Sequence, residues 1–480
     1  MKQEITEKVQ SYLKDVAIYK DSATTNSLFT GRNLPSFVKD FLLRRFSHGS
    51  EVDAGGLSLF LSEMMPKGSI KRMLHEGNEV KLLTRFTVNI DLRNNICRFG
   101  IPEQGIGENE GLIPMRLTTH HPELVDGELW GIIKICLMPN DDGKKNHVEM
   151  VDFRPFKPFT DINIEFFQEA RRHFTLEEWI DLLLSSMEYE PDAFLGMRQK
   201  LEFLTRLLIF VEPRLNVIEL APKSTGKSYV FNNISKYGWL GSGKITRAKM
   251  FYDLSKKQPG ILMKRDFAVL DEVQTIVMSE PADLQGAFKS YLEQGKVSIA
   301  DQNLTSECGM MLMGNIALTD NRKPRSPRYF DELPDTFRES ALIERFHCFI
   351  EGWLLPRINT SMLYKGWTLN IEYFSEIMHL MRVQSNYGRL YDKMIEYDPS
   401  DMRDFTAIKR IATAYMKLLF PHWLEEKDVN LEEFDTYCLQ PAIARRRIII
   451  EQCQLIDPEY TVRMPNIHVR QLIHQNIVSS

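Results

Sequence analysis

What this chain can fold into is constrained most by residues 216–238, where an apolar run, NVIEL, leads into APKSTGKS and then YVFNNISKYG. A strand, a tight loop and a helix in that order build a phosphate cradle. The loop N–H groups and the start of the helix concentrate partial positive charge there. The expected nucleotide-binding residues are Ala221, Pro222, Lys223, Ser224, Thr225, Gly226, Lys227, Ser228 and Tyr229. Lys227 is expected to reach the β- and γ-phosphates of ATP, and the Ser228 hydroxyl to hold Mg²⁺.

At its first position the loop carries Ala221 where the usual pattern has glycine. If that position takes a positive φ, the methyl group costs about 1 kcal/mol. A second match, Gly238 to Gly243 followed by Lys244, has the better glycine spacing, but Ile245 stands where a hydroxyl is needed. The preceding SKYGWL reads as a helix end and turn, so this run is rejected as the phosphate loop.

Downstream, RDFAVLDEVQ reads as a buried strand that ends in Asp271 and Glu272. In a parallel sheet that strand end lies beside the first loop. Asp271 is expected to bind Mg²⁺ through water, and Glu272 to orient and polarise the attacking water. Further on, GMMLMGNIAL is an apolar strand interrupted at Gly314-Asn315. A buried amide is costly unless paired, which marks Asn315 as a candidate sensor of the γ-phosphate and the lytic water. A simple strand end or bulge is the competing reading.

The length of 480 residues predicts about three domains. Residues 1–75 read mostly as helix. Residues 76–160 alternate, with a turn at Asn94-Asn95 and another at Asn140–Gly143, and suggest two hairpins of a small barrel or sandwich. Residues 161–195 return to helix, with a capping box from Thr175 to Glu178.

Sixty basic against sixty-five acidic residues leave a net charge of −5, so a nucleic-acid surface has to come from local clustering. One cluster is Lys236, Lys244, Arg247, Lys249, Lys256, Lys257, Lys264 and Arg265, with Trp239, Phe251 and Tyr252 interleaved. Arg322, Lys323, Arg325 and Arg328 form a second. Solvated faces are the plainer reading of both. The six cysteines are scattered without a CxxC pair, which predicts reduced thiols in the cytoplasm and no zinc framework. His120-His121 lacks a third ligand at a recognisable spacing and reads as loop. The start shows no apolar signal-peptide core and no window approaches a membrane span, so no membrane partner is expected.

The order of these motifs resembles the AAA+ superfamily, and its MCM-type helicases in particular. LQGAFKSYLEQGKVSIADQN looks like their helix-then-hairpin segment, and ALIERFHCFI like the segment carrying their arginine finger. That resemblance implies a finger role for Arg345, with Arg338 as substitute, against the plain reading of Arg345 as a helix cap or a partner of Glu344. SDMRDFTAIKRIATAYMKLL resembles their second-sensor helix, with Arg403 and Arg410 about two turns apart.

Over most of its length, including LPSFVKDFLL, HPELVDGELWG and ELAPKSTGKSYVF, the chain resembles the BrxL family, the Lon-like AAA+ component of BREX phage-defence systems. The resemblance implies a multidomain α/β fold. It has an N-terminal helical plus OB-like barrel region, an AAA+ P-loop core over 196–355, a C-terminal helical lid over 356–425 and a helical tail over 426–480. It implies double-stranded DNA as partner, assembly into a homo-hexamer or paired hexamers, and other BREX components as further partners. Lys289 and Lys296 flank the implied channel hairpin and join Lys244, Arg247 and Lys249 as DNA-binding candidates. Long family members carry a protease-like domain after the motor. The residues following the second-sensor helix are too few for one, so a short form without peptidase activity is expected. Arg445–Arg447 is expected to pair with acids of the tail or to contact another subunit. The function expected first is a DNA-dependent ATPase acting as translocase or clamp. The alternatives are a protein unfoldase and a DNA-binding scaffold whose assembly is nucleotide-controlled.

Overall fold

The computed structural model describes residues 2–32, 34–66, 68–91, 94–122, 124, 127–139, 146–156, 159, 162–255, 257–398, 402–460 and 465–470. The expected turn at Asn140–Gly143 and Lys256 of the first basic cluster lie outside the described residues. Two compact units are formed, Phe41–Asp161 and Met1–Asp40 with Ile162–Ser480. The expected boundary at residue 75 is therefore corrected. The first residues belong with the larger unit because the strand Ala17–Asp21 pairs antiparallel with Lys365–Leu369. Lys20 on that strand is buried and salt-bridged to Asp40 at 2.8 Å. The region expected as a helical lid thus also contains a strand.

In the smaller unit, alternating residues make a closed five-stranded barrel from β1 (Val80–Asp91), β2 (Ile96–Ile101), β3 (Ile106–Ile113), β4 (Gly127–Met138) and β5 (His147–Pro155). The order round the barrel is β1-β2-β3-β5-β4, with β3 and β5 parallel and the other pairs antiparallel. The short helix Met115–His120 connects β3 to β4. Leu82, Phe86, Val88, Phe99, Ile133, Ile135 and Met150 fill the interior, as the period-two alternation of strands requires. Closure leaves no unpaired strand edge.

In the larger unit, five parallel strands form one sheet: β6 (Val217–Leu220), β7 (Gly238–Gly241), β8 (Phe267–Leu270), β11 (Gly309–Gly314) and β12 (Cys348–Glu351). Their order is β7-β8-β11-β6-β12. Phe267–Leu270 and Met310–Met313 are buried throughout, as strands covered on both faces must be. Gly238–Gly241, expected as a helix end and turn, is the edge strand β7, paired in parallel with β8. Its two glycines and single Trp-Leu pair give too weak a strand signal to read in isolation. Between β8 and β11 the chain makes the helix α1 (Pro281–Gln294) and the antiparallel hairpin β9 (Lys296–Ile299) and β10 (Gln302–Thr305). Helices α2 (Met402–Leu419) and α3 (Gln440–Ile456) follow the sheet. Among the described residues no helix is long and apolar enough to cross a membrane.

Candidate active site

Because β8, β11 and β6 are neighbours and parallel, their C-terminal ends open on one edge of the sheet. The loop after Leu220, the Asp271-Glu272 pair after Leu270 and Asn315 after Gly314 therefore meet. Lys227 begins the helix that follows the loop. Its Nζ donates to the carbonyls of Ala221 at 2.9 Å and Gly314 at 3.2 Å, and to Asn315 Oδ1 at 3.2 Å. Burial lowers the Lys227 ammonium from its ordinary value, partly offset by Glu219 beneath it. Ser228 Oγ donates to Asp271 Oδ2 at 2.6 Å. A hydroxyl and a carboxylate meeting this closely offer the hard oxygen donors that Mg²⁺ prefers, so these residues fit the ion. Glu272 is exposed at φ 49°, and its N–H donates to Asp271 Oδ1 at 2.8 Å.

The strain expected at Ala221 is absent. The left-handed residues of the loop are Ser224 at φ 68° and Gly226 at φ 76°. The Ala221 methyl is buried against Gly352, just past β12, where an added Cβ would lie only 2.1 Å from that of Ala221. Lys223 is exposed, and the Ser224 carbonyl accepts from Ile358 N–H at 2.7 Å. Pro222 O accepts from Thr225 Oγ1 at 3.3 Å. The Tyr229 hydroxyl lies 2.7 Å from Ser36 Oγ. Burial raises that phenol well above its ordinary value.

Beneath the loop lies a pair that sequence reasoning missed. Glu219, the one acid in β6, is salt-bridged to Arg206 at 2.5 Å, with both side chains fully buried. Arg206 also donates to the Thr225 carbonyl at 2.8 Å, tying the loop to the pair. The visible signal was a glutamate inside the apolar run NVIEL, which demands a buried cation. Gln274 was also missed. Its amide donates to Asn315 O at 2.6 Å and accepts from Asn315 N–H at 3.2 Å.

Arg345 and Arg403 do not join this edge. Cys348 pairs with Val217, and Asn216 Nδ2 donates to Arg345 O at 3.4 Å, so Arg345 sits at the opposite end of the sheet. Strand rise places it roughly 15 Å from Ala221. There it donates to Glu293 at 2.7 Å and to the Ala341 carbonyl. Arg403 is salt-bridged to Glu344 at 2.6 Å and to Glu293 at 3.4 Å. Glu293 is held below its ordinary carboxylate range, first by its hydrogen bond to Arg345. Arg410 points elsewhere, to Pro213 O at 2.6 Å, and Arg338 pairs with Asp335.

Some of the basic residues meet acids that lie far away in the sequence. Lys236 meets Glu376 at 2.5 Å, Arg247 lies 3.8 Å from Asp283, and Lys289 meets Glu339 at 2.5 Å. Lys249 sits 5.1 Å over the Trp239 ring, while Lys244 and Lys296 are exposed. In the second cluster Arg322 and Arg325 donate to the carbonyls of Leu355 at 2.6 Å and Leu318 at 3.0 Å. The expectation for Arg445–Arg447 is corrected at its first two residues. Arg445 is buried against Glu202 at 3.0 Å and Arg446 against Asp404 at 2.6 Å, so both arginines tie α3 to earlier elements.

Comparison with known proteins then decides the family. Residues 148–465 match the model described as Lon-like protease BrxL-like, ATPase domain, and residues 11–136 match BREX system Lon protease-like protein BrxL N-terminal. The chain belongs to the BrxL family. Over 440 residues it is 27% identical to the Lon-like protease BrxL of Escherichia coli O9:H4 (strain HS), covering 89% of this chain and 62% of that protein. Over 453 residues it is 24% identical to the Lon-like protease BrxL of Bacillus cereus (strain H3081.97), covering 92% of this chain and 65% of that protein. The chain thus spans less than two thirds of the length of these BrxL relatives.

Proposed function

We propose that this chain is a Mg²⁺-dependent AAA+ ATPase of a BREX phage-defence system that assembles into a ring, a hexamer or paired hexamers, around double-stranded DNA. The observation that carries the reading is the division of the candidate groups between two sheet edges. Lys227, Ser228, Asp271, Glu272 and Asn315 share one edge, and Arg345 with Arg403 lie at the other. An arginine roughly 15 Å from its own loop serves hydrolysis only in a neighbouring subunit's site. Ser228 and Asp271 would hold Mg²⁺, which neutralises phosphate charge when bound. Lys227 exchanges its carbonyl partners for phosphate oxygens. Glu272 accepts a proton from the attacking water, Asn315 orients that water and the γ-phosphate, and the neighbour's Arg345 stabilises the charge of the transition state.

The barrel order, with its helix between the third and fourth strands, supports an OB-like nucleic-acid module. The helices after the sheet are read as the lid. Lys244, Arg247, Lys249, Lys289 and Lys296 are proposed to grip phosphates without sequence preference, other BREX components are proposed as partners and the cytoplasm as location, and no peptidase step is assigned to this chain.

Glu272→Gln tests the reading. It leaves Lys227, Ser228 and Asp271 to bind Mg-ATP but removes the proton acceptor. The variant is expected to accumulate on circular duplex DNA in an ATP-dependent form that resists added salt and is released when the circle is cut. Plain phosphate contacts weaken about 10³-fold or more between about 50 and 200 mM salt. Loss of the complex with salt on circular and linear DNA alike would refute the closed ring.

A further inference from the structure

We infer that Gln274 is a positioning residue that ties the turn bearing Glu272 to Asn315, so that the water-activating carboxylate and the phosphate-sensing amide move as one body. The inference rests on the roles proposed above for those two residues. Strand β11 ends its pairing at Gly314, whose register partner is Leu220. The peptide of Asn315 therefore has no strand neighbour. One side chain takes both of its polar groups: Gln274 Nε2 donates to Asn315 O at 2.6 Å, and Asn315 N–H donates to Gln274 Oε1 at 3.2 Å. The amide imitates the strand that is missing.

Two independent features show that the contact is built. The first is Gly314. A Cβ there would lie 3.0 Å from Gln274 Nε2, 3.2 Å from its Oε1 and 2.8 Å from Leu220 Cδ2. Glycine at this place clears the path by which the amide reaches Asn315. The second is the rigidity of the turn at the other end. Glu272 O accepts from Thr275 N–H at 2.8 Å and from Thr275 Oγ1 at 2.9 Å, and Val273 is fully buried between them. Gln274 is held on a turn whose first residue is the carboxylate, and it grips the backbone of the residue whose Oδ1 lies 3.2 Å from Lys227 Nζ. A displacement of Glu272 is transmitted to Asn315 through two hydrogen bonds.

The test compares the assembled full chain with Asn315→Ala, Gln274→Ala, the double variant and Gln274→Glu. It measures kcat, KM, affinity for a fluorescent ATP analogue, and melting. Gln274→Ala is expected to lower kcat by at least about ten-fold, with nucleotide affinity within about three-fold of the unmodified chain. The double variant is expected to lose less than the sum of the two single losses, because the side-chain amide that Gln274 positions is already gone, while its bonds to the backbone of residue 315 and to the Glu272 turn persist in Asn315→Ala. Gln274→Glu gives a readout that a space-filling role would not move. Its carboxylate still accepts from Asn315 N–H but opposes Asn315 O, and on protonation it regains a donor. Its kcat relative to the unmodified chain is expected to rise as the pH falls from about 8 to about 6.

Additive losses, an unchanged kcat in Gln274→Ala, or a flat pH ratio in Gln274→Glu would each overturn the inference. An impaired Asn315→Ala beside a normal Gln274→Ala sinks this inference alone. A normal Asn315→Ala sinks the sensor assignment with it. If Gln274→Ala fails to fold, the pH ratio of Gln274→Glu decides.

Discussion

The salt bridge between Arg206 and Glu219 gives the sharpest test of how the proposed phosphate loop is held. Arg206 donates through Nε at 3.0 Å and Nη2 at 2.5 Å to the two Glu219 oxygens, and through Nη1 at 2.8 Å to Thr225 O. Arg206→Met keeps an apolar stem but strands a carboxylate within the sheet, where the expected cost is about 3–5 kcal/mol. Arg206→Met with Glu219→Met removes both charges and is expected to be more stable than Arg206→Met alone, because no charge is left buried without a partner. The Thr225 carbonyl still lacks its charged donor in the double variant. Losing a hydrogen bond to a charged group corresponds to about 1.5–3 kcal/mol, so ATP affinity should stay weakened by about ten-fold or more. Urea denaturation followed by tryptophan fluorescence reads the first quantity, and nucleotide titration of the same samples reads the second. A single variant destabilised by less than about 1 kcal/mol would refute the buried-charge argument. A double variant that binds ATP normally would refute the claim that the pair positions the loop.

Two further outcomes follow. Lys227→Ala and Arg345→Ala subunits should each be inactive alone, yet a 1:1 mixture should regain activity at about one quarter of its interfaces, measured as ATP turnover after subunit exchange. A mixture as inactive as its parents removes the shared site. The second concerns Glu372, buried with one oxygen lacking a hydrogen-bond partner and pushed by burial from 4.5 to about 7. The folded chain holds that proton more tightly than the unfolded chain. Stability from this group is therefore fully present below about pH 4.5 and declines as the pH rises to about 7, by up to about 3 kcal/mol. Glu372→Gln should flatten that slope in denaturation curves, and an unchanged slope would assign it to other groups.

The sequence disclosed those parts of the candidate site whose chemistry is written locally. APKSTGKS announces itself because a strand, a glycine-bearing turn, a lysine and a hydroxyl must be contiguous to cradle phosphate. Asn315 was legible because an amide stands out against GMMLMG. Gln274 was not, since its partner is a peptide group and every residue has one. The meeting of Arg345 with Arg403 through Glu293 depends on α1, α2 and the start of β12 converging, and no periodicity encodes it. The antiparallel pairing of Ala17–Asp21 with Lys365–Leu369 was hidden for the same reason. The basic clusters show the other limit. Counter-ions such as Glu376 and Asp283 come from segments distant in sequence, so the charge of Lys236 and Arg247 in space is less than a local count gives.

The contact between Ala221 and Gly352 changes what counts as the proposed nucleotide motif in this chain. The methyl that the usual pattern forbids is accommodated because the residue facing it has given up its own. An added Cβ at Gly352 would also lie 2.8 Å from Leu220 O, so the arrangement does not run in reverse. Gly352 is thus kept bare on two counts, by the Ala221 methyl and by the backbone of Leu220. Grafting APKSTGKS into a known ATPase is therefore expected to need a glycine at the matching strand exit. In distant relatives the two positions should be inherited as a couple, the alanine appearing only where its counterpart has no side chain.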